Sequence, residues 1–558
     1  MKIFKRLIIF WMVMIMSIGL FGCVGGGEFK AEVAPLSYTK PVAVTDMDTW
    51  QREVRVDGKK NNAPTENGLV LCPFYTLKVN GTEVPVYSTR CSSSAHSYAW
   101  IDVKNAPQSF ALDVELTTQK SYTDVLVLPE KSGVTANLSG QTVTAKITKY
   151  GDYSFVFATD KRKEIKVTNE PLTLIVAPEQ QPEIPAGYEY MEIEPGTYGY
   201  DDLKLESNTF YLFKKGNYDI RRIVVSKKEN VEIYFEPGSY FSVYETPEIN
   251  VDEYGICGPV LNISKSDNVS IKGRGLFDFS AVRGLFTKPD GTPQDMTQYV
   301  FNMYNNTNMY ISGITTINSN HWTFRIGSCK DILAEWNMML GYRNYSDGFI
   351  YSDCVNATAR NMFIRTGDDG LEVKALGTYG GYTPDYEMAT NILFEKCTVW
   401  NDAAAAMGMI YENYTPVDGV IFRDCSVGFS TIGSSNANNA PLNVRLTNPG
   451  TALWKNITFE DIEVFECGRS AFTLEWHENG GKVENVLVKN ITVKRAAAAI
   501  RVAEDTGKYS DATLANLCKN FVFENFVFKG KKLAETDKEN SYCCSYGRPT
   551  VKDLFTVK

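Results

Sequence analysis

Two short segments of this 558-residue chain hold carboxylates in a pattern fit for chemistry: Asn344-Tyr345-Ser346-Asp347-Gly348 and Thr366-Gly367-Asp368-Asp369-Gly370. Either one alone reads as a turn, because Asp-Gly sequences commonly satisfy backbone donors. Together they read differently. Asp347 and Asp368 lie 21 residues apart, close to one turn of a repeating coil, and neighbouring coils of a parallel β stack stand about 4.8 Å apart. Three carboxylates gathered at one place cannot all ionise freely, so at least one keeps its proton while a neighbour has lost its own. A protonated carboxyl beside an ionised one is the pair that glycosidic-bond hydrolysis needs. Asp347, Asp368 and Asp369 are the candidate catalytic residues.

The elements that must position them repeat along the chain. Asn308-Met-Tyr-Ile-Ser-Gly-Ile, Asn391-Ile-Leu-Phe-Glu-Lys-Cys-Thr-Val, Asn456-Ile-Thr-Phe-Glu-Asp-Ile-Glu-Val and Asn485-Val-Leu-Val-Lys-Asn-Ile-Thr-Val share one plan, as do units at Asn268, Asp331, Gly419 and Asn520. Each starts on Asn or a similar bend residue and alternates apolar and polar positions, the signature of a strand. A unit this short cannot bury its own apolar face, so neighbours must stack. The shortest spacing is 23 residues (308 to 331), from 391 onward it runs from 28 (391 to 419) to 37 (419 to 456), and the wider interval from 331 to 391 must hold more than one coil. No amphipathic helix separates the units. The expected architecture is all-β, with a right-handed single-stranded parallel β-helix over residues 187–530 and a tail over 531–558.

Ahead of it, residues 30–176 read as short strands at close spacing: Leu69–Leu77, Glu83–Tyr87, Ser97–Val103, Phe110–Leu116, Thr142–Ile147 and Tyr153–Ala158. Asn80-Gly81 is a tight-hairpin signal. These features predict a β-sandwich, joined to the β-helix by a proline-rich linker over 177–186.

At the N-terminus, Lys2, Lys5 and Arg6 precede an apolar run from Leu7 to Leu20, too short for a membrane span and suited to a signal peptide. The ending Leu20-Phe21-Gly22-Cys23 resembles a bacterial lipobox, which makes Cys23 the expected lipidation site, with residues 24–29 as a tether. The expected location is that of an exported bacterial lipoprotein of the outer membrane, held to the membrane by its lipid. A net charge of -9 argues against a nucleic-acid partner. Eleven cysteines remain after Cys23, an odd number that rules out a complete disulfide framework, and Cys329, Cys354, Cys397 and Cys425 read as small buried apolar residues. No Cys/His cluster suggests a metal. No cofactor is expected, and the chain is expected to act as a monomer on a polysaccharide.

The two aspartate segments resemble those of the polygalacturonase and dextranase clan of β-helical glycosidases (families 28 and 49), whose pattern is Asn-Thr-Asp-Gly followed one coil later by Asp-Asp. Upstream, Asn318-Ser-Asn-His-Trp322 and Cys329-Lys-Asp-Ile resemble two further segments of the clan. The resemblance covers roughly residues 230–530. It implies Asp368 as general acid, with Asp347 and Asp369 holding the attacking water. The chain lacks the Gly-His-Gly and Arg-Ile-Lys of polygalacturonases: Ala406-Met407-Gly408-Met409 stands where the first belongs, and Asn443-Val444-Arg445-Leu446 is the nearest echo of the second. A sandwich preceding the β-helix resembles the dextranase and isopullulanase branch more closely.

Charge points the same way. Residues 343–445 contain 7 Lys and Arg against 12 Asp and Glu, a poor surface for a polyanion, which would favour arginine forks. Tyr345, Tyr379, Tyr382, Tyr386 and Tyr411 are candidate sugar-stacking residues, most of them on or near the loop Gly377–Tyr386, and Arg365 and Lys374 are candidate substrate contacts or ion-pair partners. The expected function is inverting hydrolysis of a neutral α-linked polysaccharide such as an α-glucan. A pectin-backbone hydrolase, a polysaccharide lyase with calcium-binding aspartates, and a non-catalytic carbohydrate-binding β-helix are the alternatives.

Overall fold

The structure, a computed structural model, describes residues 30–44, 68–91, 95–160, 165–166, 169–244, 256–257, 259–282, 286–287, 293–294, 297–298, 300–343, 345–378, 383–386, 388–431, 436, 439–446, 452–476, 481–504 and 509–558. Cys23 and the segment around it, Tyr379 and Tyr382 lie outside them.

Up to Pro178 the chain forms a seven-stranded and a five-stranded sheet packed face to face. The expected strand Leu69–Leu77 is two strands, Leu69–Leu71 in one sheet and Tyr75–Val79 in the other; Glu83–Tyr87 divides likewise into Thr82–Val84 and Tyr87–Arg90. Pro73 and Pro85 stand at the breaks. Proline donates no hydrogen bond to a ladder, so the chain leaves one sheet there and crosses to the other. Between the crossings, Asn80 (φ 49°) and Gly81 (φ 80°) make the tight turn of the hairpin.

From Glu189 onward the chain winds as a parallel β-helix with three faces. The first face includes Phe301–Tyr304, Phe324–Gly327, Phe349–Ser352, Leu371–Ala375, Met407–Asn413 and Leu442–Leu446. The second includes Lys330–Glu335, Val355–Arg360 and Ala389–Glu395, and the third Met338–Leu340, Phe363–Thr366 and Thr398–Asn401. Inward residues stack coil upon coil: Phe394, Phe422 and Phe459 lie with ring centroids 4.9 Å apart and nearly parallel planes.

The repeated asparagines form a ladder at the entry to the second face. Asn208, Asn230, Asn268, Asn356, Asn391, Asn456, Asn485 and Asn520 all have φ between 52° and 58°, a left-handed corner that asparagine tolerates well. Amides hand a hydrogen bond from coil to coil, as from Asn391 to Asn356 (2.9 Å) and from Asn520 to Asn485 (2.9 Å). The interval from 331 to 391 contains one further rung, Asn356. Its strand turns only Ala357 and Ala359 inward, which hid the apolar signature from the sequence.

The seven-stranded sheet of the sandwich sits on the third face, where Tyr98, Trp100 and Ile175 meet Leu340, Phe363 and Trp400. Arg274 pairs there with Asp102 at 2.6 Å, both buried. Residues after 530 join the stack: Cys544–Tyr546 pairs with Ala498–Glu504, and Thr556–Val557 with Cys518–Phe528.

Candidate active site

All three aspartates lie at the corner between the third and first faces, Asp347 just before Phe349–Ser352 and Asp368-Asp369 just before Leu371–Ala375. Phe349 pairs with Leu371, and the Gly348 N–H donates to the Asp369 carbonyl at 2.8 Å. The register between these coils is therefore 22 residues, so Asp347 stacks beside Asp369, and Asp368 falls level with Ser346. Gly348 and Gly370 make this packing possible. A Cβ on Gly348 would come within 2.5 Å of the Gly370 carbonyl oxygen, and one on Gly370 within 2.4 Å of that of Ala406.

Residues 367–370 form a bend, not a strand, so Asp368 and Asp369 escape the strict alternation of a pleat. Thr366 Oγ1 donates to the Asp368 carbonyl at 2.7 Å, and the Asn401 amide donates to the same oxygen. The half-buried Asp368 accepts the Tyr345 N–H on Oδ2 at 3.0 Å and the Asp369 N–H on Oδ1 at 3.1 Å. Asp347 and Asp369 are buried, and Asp369 Oδ1 accepts the Ala405 N–H at 2.8 Å.

A fourth carboxylate, unmarked by any motif, belongs to the same cluster. Glu372 stands on the outer side of the first face, with none of its surface exposed. Asp347, Asp369 and Glu372 each place a carboxylate oxygen within 4.8 Å of the other two. That spacing would also suit a cation, and the buried Lys374 already brings positive charge there: its Nζ lies 2.7 Å from Glu372, 2.7 Å from Glu412 and 3.8 Å from Asp347. The ammonium also lies 4.9 Å from the Trp322 ring centroid.

Burial, then the negative charges of Glu372 and Asp368, hold the carboxyls of Asp347 and Asp369 well above the usual range. Burial raises Glu372 too, against the pull of Lys374. For Lys374, burial works against the charge, but Glu372, Glu412 and Asp347 outweigh it and the ammonium is held well above its usual pKa. Single protons in such a cluster belong to the set of groups and not to one of them. Its members therefore hold their protons above the ordinary carboxyl range.

Tyr345 is exposed beside Asp368, and its ring stacks on that of His321 with centroids 6.2 Å apart. His321 is buried, and burial, with Arg325 and Lys374, pushes its pKa down to about 3, so the ring is neutral. Tyr386 is half-buried. The backbone of Tyr411 runs in the first face at Met407–Asn413.

Arg365 is a correction. Ile364 points inward, and strand alternation turns Arg365 outward onto the sandwich. There it is fully buried, paired with Asp402 at 3.2 Å and donating to His96 Nδ1 at 2.9 Å. It holds the interface and does not contact substrate. A cavity of about 960 Å³ lies elsewhere again, between Thr383–Asp385 and Lys227, Lys265 and Tyr304, and none of the three aspartates lines it.

With this geometry in view, comparison with known proteins is decisive. The profile of the glycosyl hydrolases family 28 matches residues 219–545, which is more than half of the chain and includes the whole aspartate corner. The chain belongs to glycosyl hydrolase family 28. It is a glycoside hydrolase of the polygalacturonase and dextranase clan. Among solved structures, Dex49A from Penicillium minioluteum is similar over 95% of this chain and 99% of its own, with a TM-score of 0.59 at 11% identity. That span takes in both the sandwich and the β-helix. A hyperthermoactive exopolygalacturonase from Thermotoga maritima is 15% identical, covering 58% of this family 28 chain and 85% of its own, with a TM-score of 0.45. Comparison with curated protein sequences gives no significant match.

Proposed function

We propose that this family 28 glycoside hydrolase cleaves a neutral α-linked polysaccharide, of α-glucan type, with inversion at the anomeric carbon. Asp368 gives its proton to the glycosidic oxygen as the bond to the anomeric carbon breaks. A water held by Asp347 and Asp369 attacks that carbon from the opposite side and passes its proton to the pair. Carboxylate oxygens no more than 4.8 Å apart can share one water, since each such hydrogen bond spans about 2.7–2.8 Å. Two carboxylates on the water and one on the leaving group suit an inverting arrangement better than a nucleophile and an acid.

The neutral substrate rests on one observation: two cations of the first face, Lys374 and Arg445, are already matched. Lys374 meets Glu372 and Glu412 at 2.7 Å, and the buried Arg445 meets the buried Glu475 at 2.6 Å. A uronate carboxylate would have to displace one of these acids to reach either. Purified protein incubated with dextran, pullulan, polygalacturonate and rhamnogalacturonan should release reducing ends from an α-glucan and not from the two pectic polymers. Proton NMR should show the β-anomer first. The second reading, a pectin-backbone hydrolase, draws on family 28 membership; release from polygalacturonate alone would establish it and overturn the first.

We also propose, from the Leu20-to-Cys23 pattern, that the enzyme is a lipoprotein held at the bacterial outer membrane. Cys23→Ser should move it from the membrane to the soluble fraction of its host; unchanged partition would refute the anchor.

A further inference from the structure

We propose that Glu372 is a positioning residue acting through Asp347 and Asp369: fixed by Lys374, its carboxylate holds those two aspartates in place and keeps a negative charge against them. The inference rests on the hydrolase mechanism above and assigns a role to a residue outside the aspartate motifs.

Geometry carries it. Glu372 follows Asp369 by three residues and is fully buried, yet its strand neighbours at the same level on either side are Ile350 and Gly408, which offer it no charge. The titratable groups facing it are Lys374 on its own strand, Asp347 from the preceding coil, Asp369 from the bend before it, and Glu412 from the following strand. One ammonium thus serves a cluster of four carboxylates. Glu372 has the direct contact, 2.7 Å, while Asp347 stands 3.8 Å from the same nitrogen. The charge that Lys374 stabilises on Glu372 repels a second negative charge on either aspartate, and burial leaves little solvent to screen it. Asp347 and Asp369 consequently bind a proton more tightly than a lone aspartate, which is what a base must do to draw one from water. Glu372 itself gives and takes no proton in the reaction.

Glu372→Gln keeps the shape and removes the charge. On the polysaccharide found active in the screen, the acid limb of kcat/KM should move down by about one pH unit or more. At its plateau kcat should fall about tenfold or more, with KM little changed. Glu372→Asp keeps the charge but draws it back, and should shift the limb part of the way.

Melting temperature against pH supplies a readout without substrate. Groups whose folded pKa is raised lend their full stability below the unfolded pKa and lose it as pH rises through the folded one. Wild-type stability should therefore fall from the ordinary carboxyl range upward, and fall less steeply in Glu372→Gln. Should that variant not fold, the Glu372→Asp limb decides. An unshifted limb, or an unchanged stability slope in a folded Glu372→Gln protein, overturns the proposal. If Asp347→Asn and Asp369→Asn also keep full activity, the parent mechanism fails with it; if those two are inactive, only the role of Glu372 fails.

Discussion

The protein buries a cation against carboxylate in two places that look alike and behave differently. At the sandwich interface, Arg274 meets Asp102 at 2.6 Å, stacks on Trp100, and spends its remaining donors on the carbonyls of Gly273 and Pro178. Trp100 Nε1 donates to the same carboxylate at 3.0 Å. One positive charge meets one negative charge and the groups around them are satisfied. Such an arrangement fixes two domains in register. At the aspartate corner, Lys374 faces Asp347, Asp369, Glu372 and Glu412. Acid exceeds base, the excess lies in a region shielded from water, and the carboxyls of Asp347, Asp369 and Glu372 are held above their usual range. The imbalance, more than burial itself, separates the candidate active site from the structural pair.

That contrast can be broken from either side. The largest effect is expected at the reactive corner. Asp368→Asn should lower kcat by about 10²–10⁴-fold, the usual weight of a general acid, while the thermal melt stays at the wild-type temperature; wild-type turnover would make the corner structural. At the interface the effects should exchange places. Asp102→Ala strands the Arg274 guanidinium without its anion, a loss of about 3–5 kcal/mol of stability, with kcat per folded molecule unchanged. Denaturant unfolding and active-site-normalised rates would show this. A fall in rate with intact stability would mean that the interface reaches the catalytic corner.

The sequence showed the aspartates because they sit in contiguous motifs, and showed the coils because their inward residues are mostly large. It failed where either condition lapsed. Ala357 and Ala359 are too small to announce a strand core. Glu372 and Lys374 alternate with Leu371, Val373 and Ala375, the ordinary look of a strand with one wet face; what covers that face is a tertiary fact. Arg365 takes the ion-pair role and not the substrate contact for the same reason: nothing in the sequence tells that the sandwich covers its side of the strand. Pro73 and Pro85 are legible as strand breakers, and both strands divide at them. The 21-residue spacing brought the three aspartates to one corner but paired Asp347 with Asp368, whereas the register across the bend is 22 and sets it beside Asp369.

The asparagine ladder bears on how such an enzyme acquires new substrates. Its rungs are separated by as few as 22 residues, between Asn208 and Asn230, and as many as 38, between Asn230 and Asn268, yet the amide bonds are equivalent at 2.8 and 2.7 Å. Each rung reads only its neighbour, so a corner segment can lengthen at little more than the slow entropic cost of a longer loop. Insertions at the corners can reshape the surface between faces while the rungs, and the coils they join, stay where they are. The fold separates the inheritance of a reaction from the inheritance of a specificity.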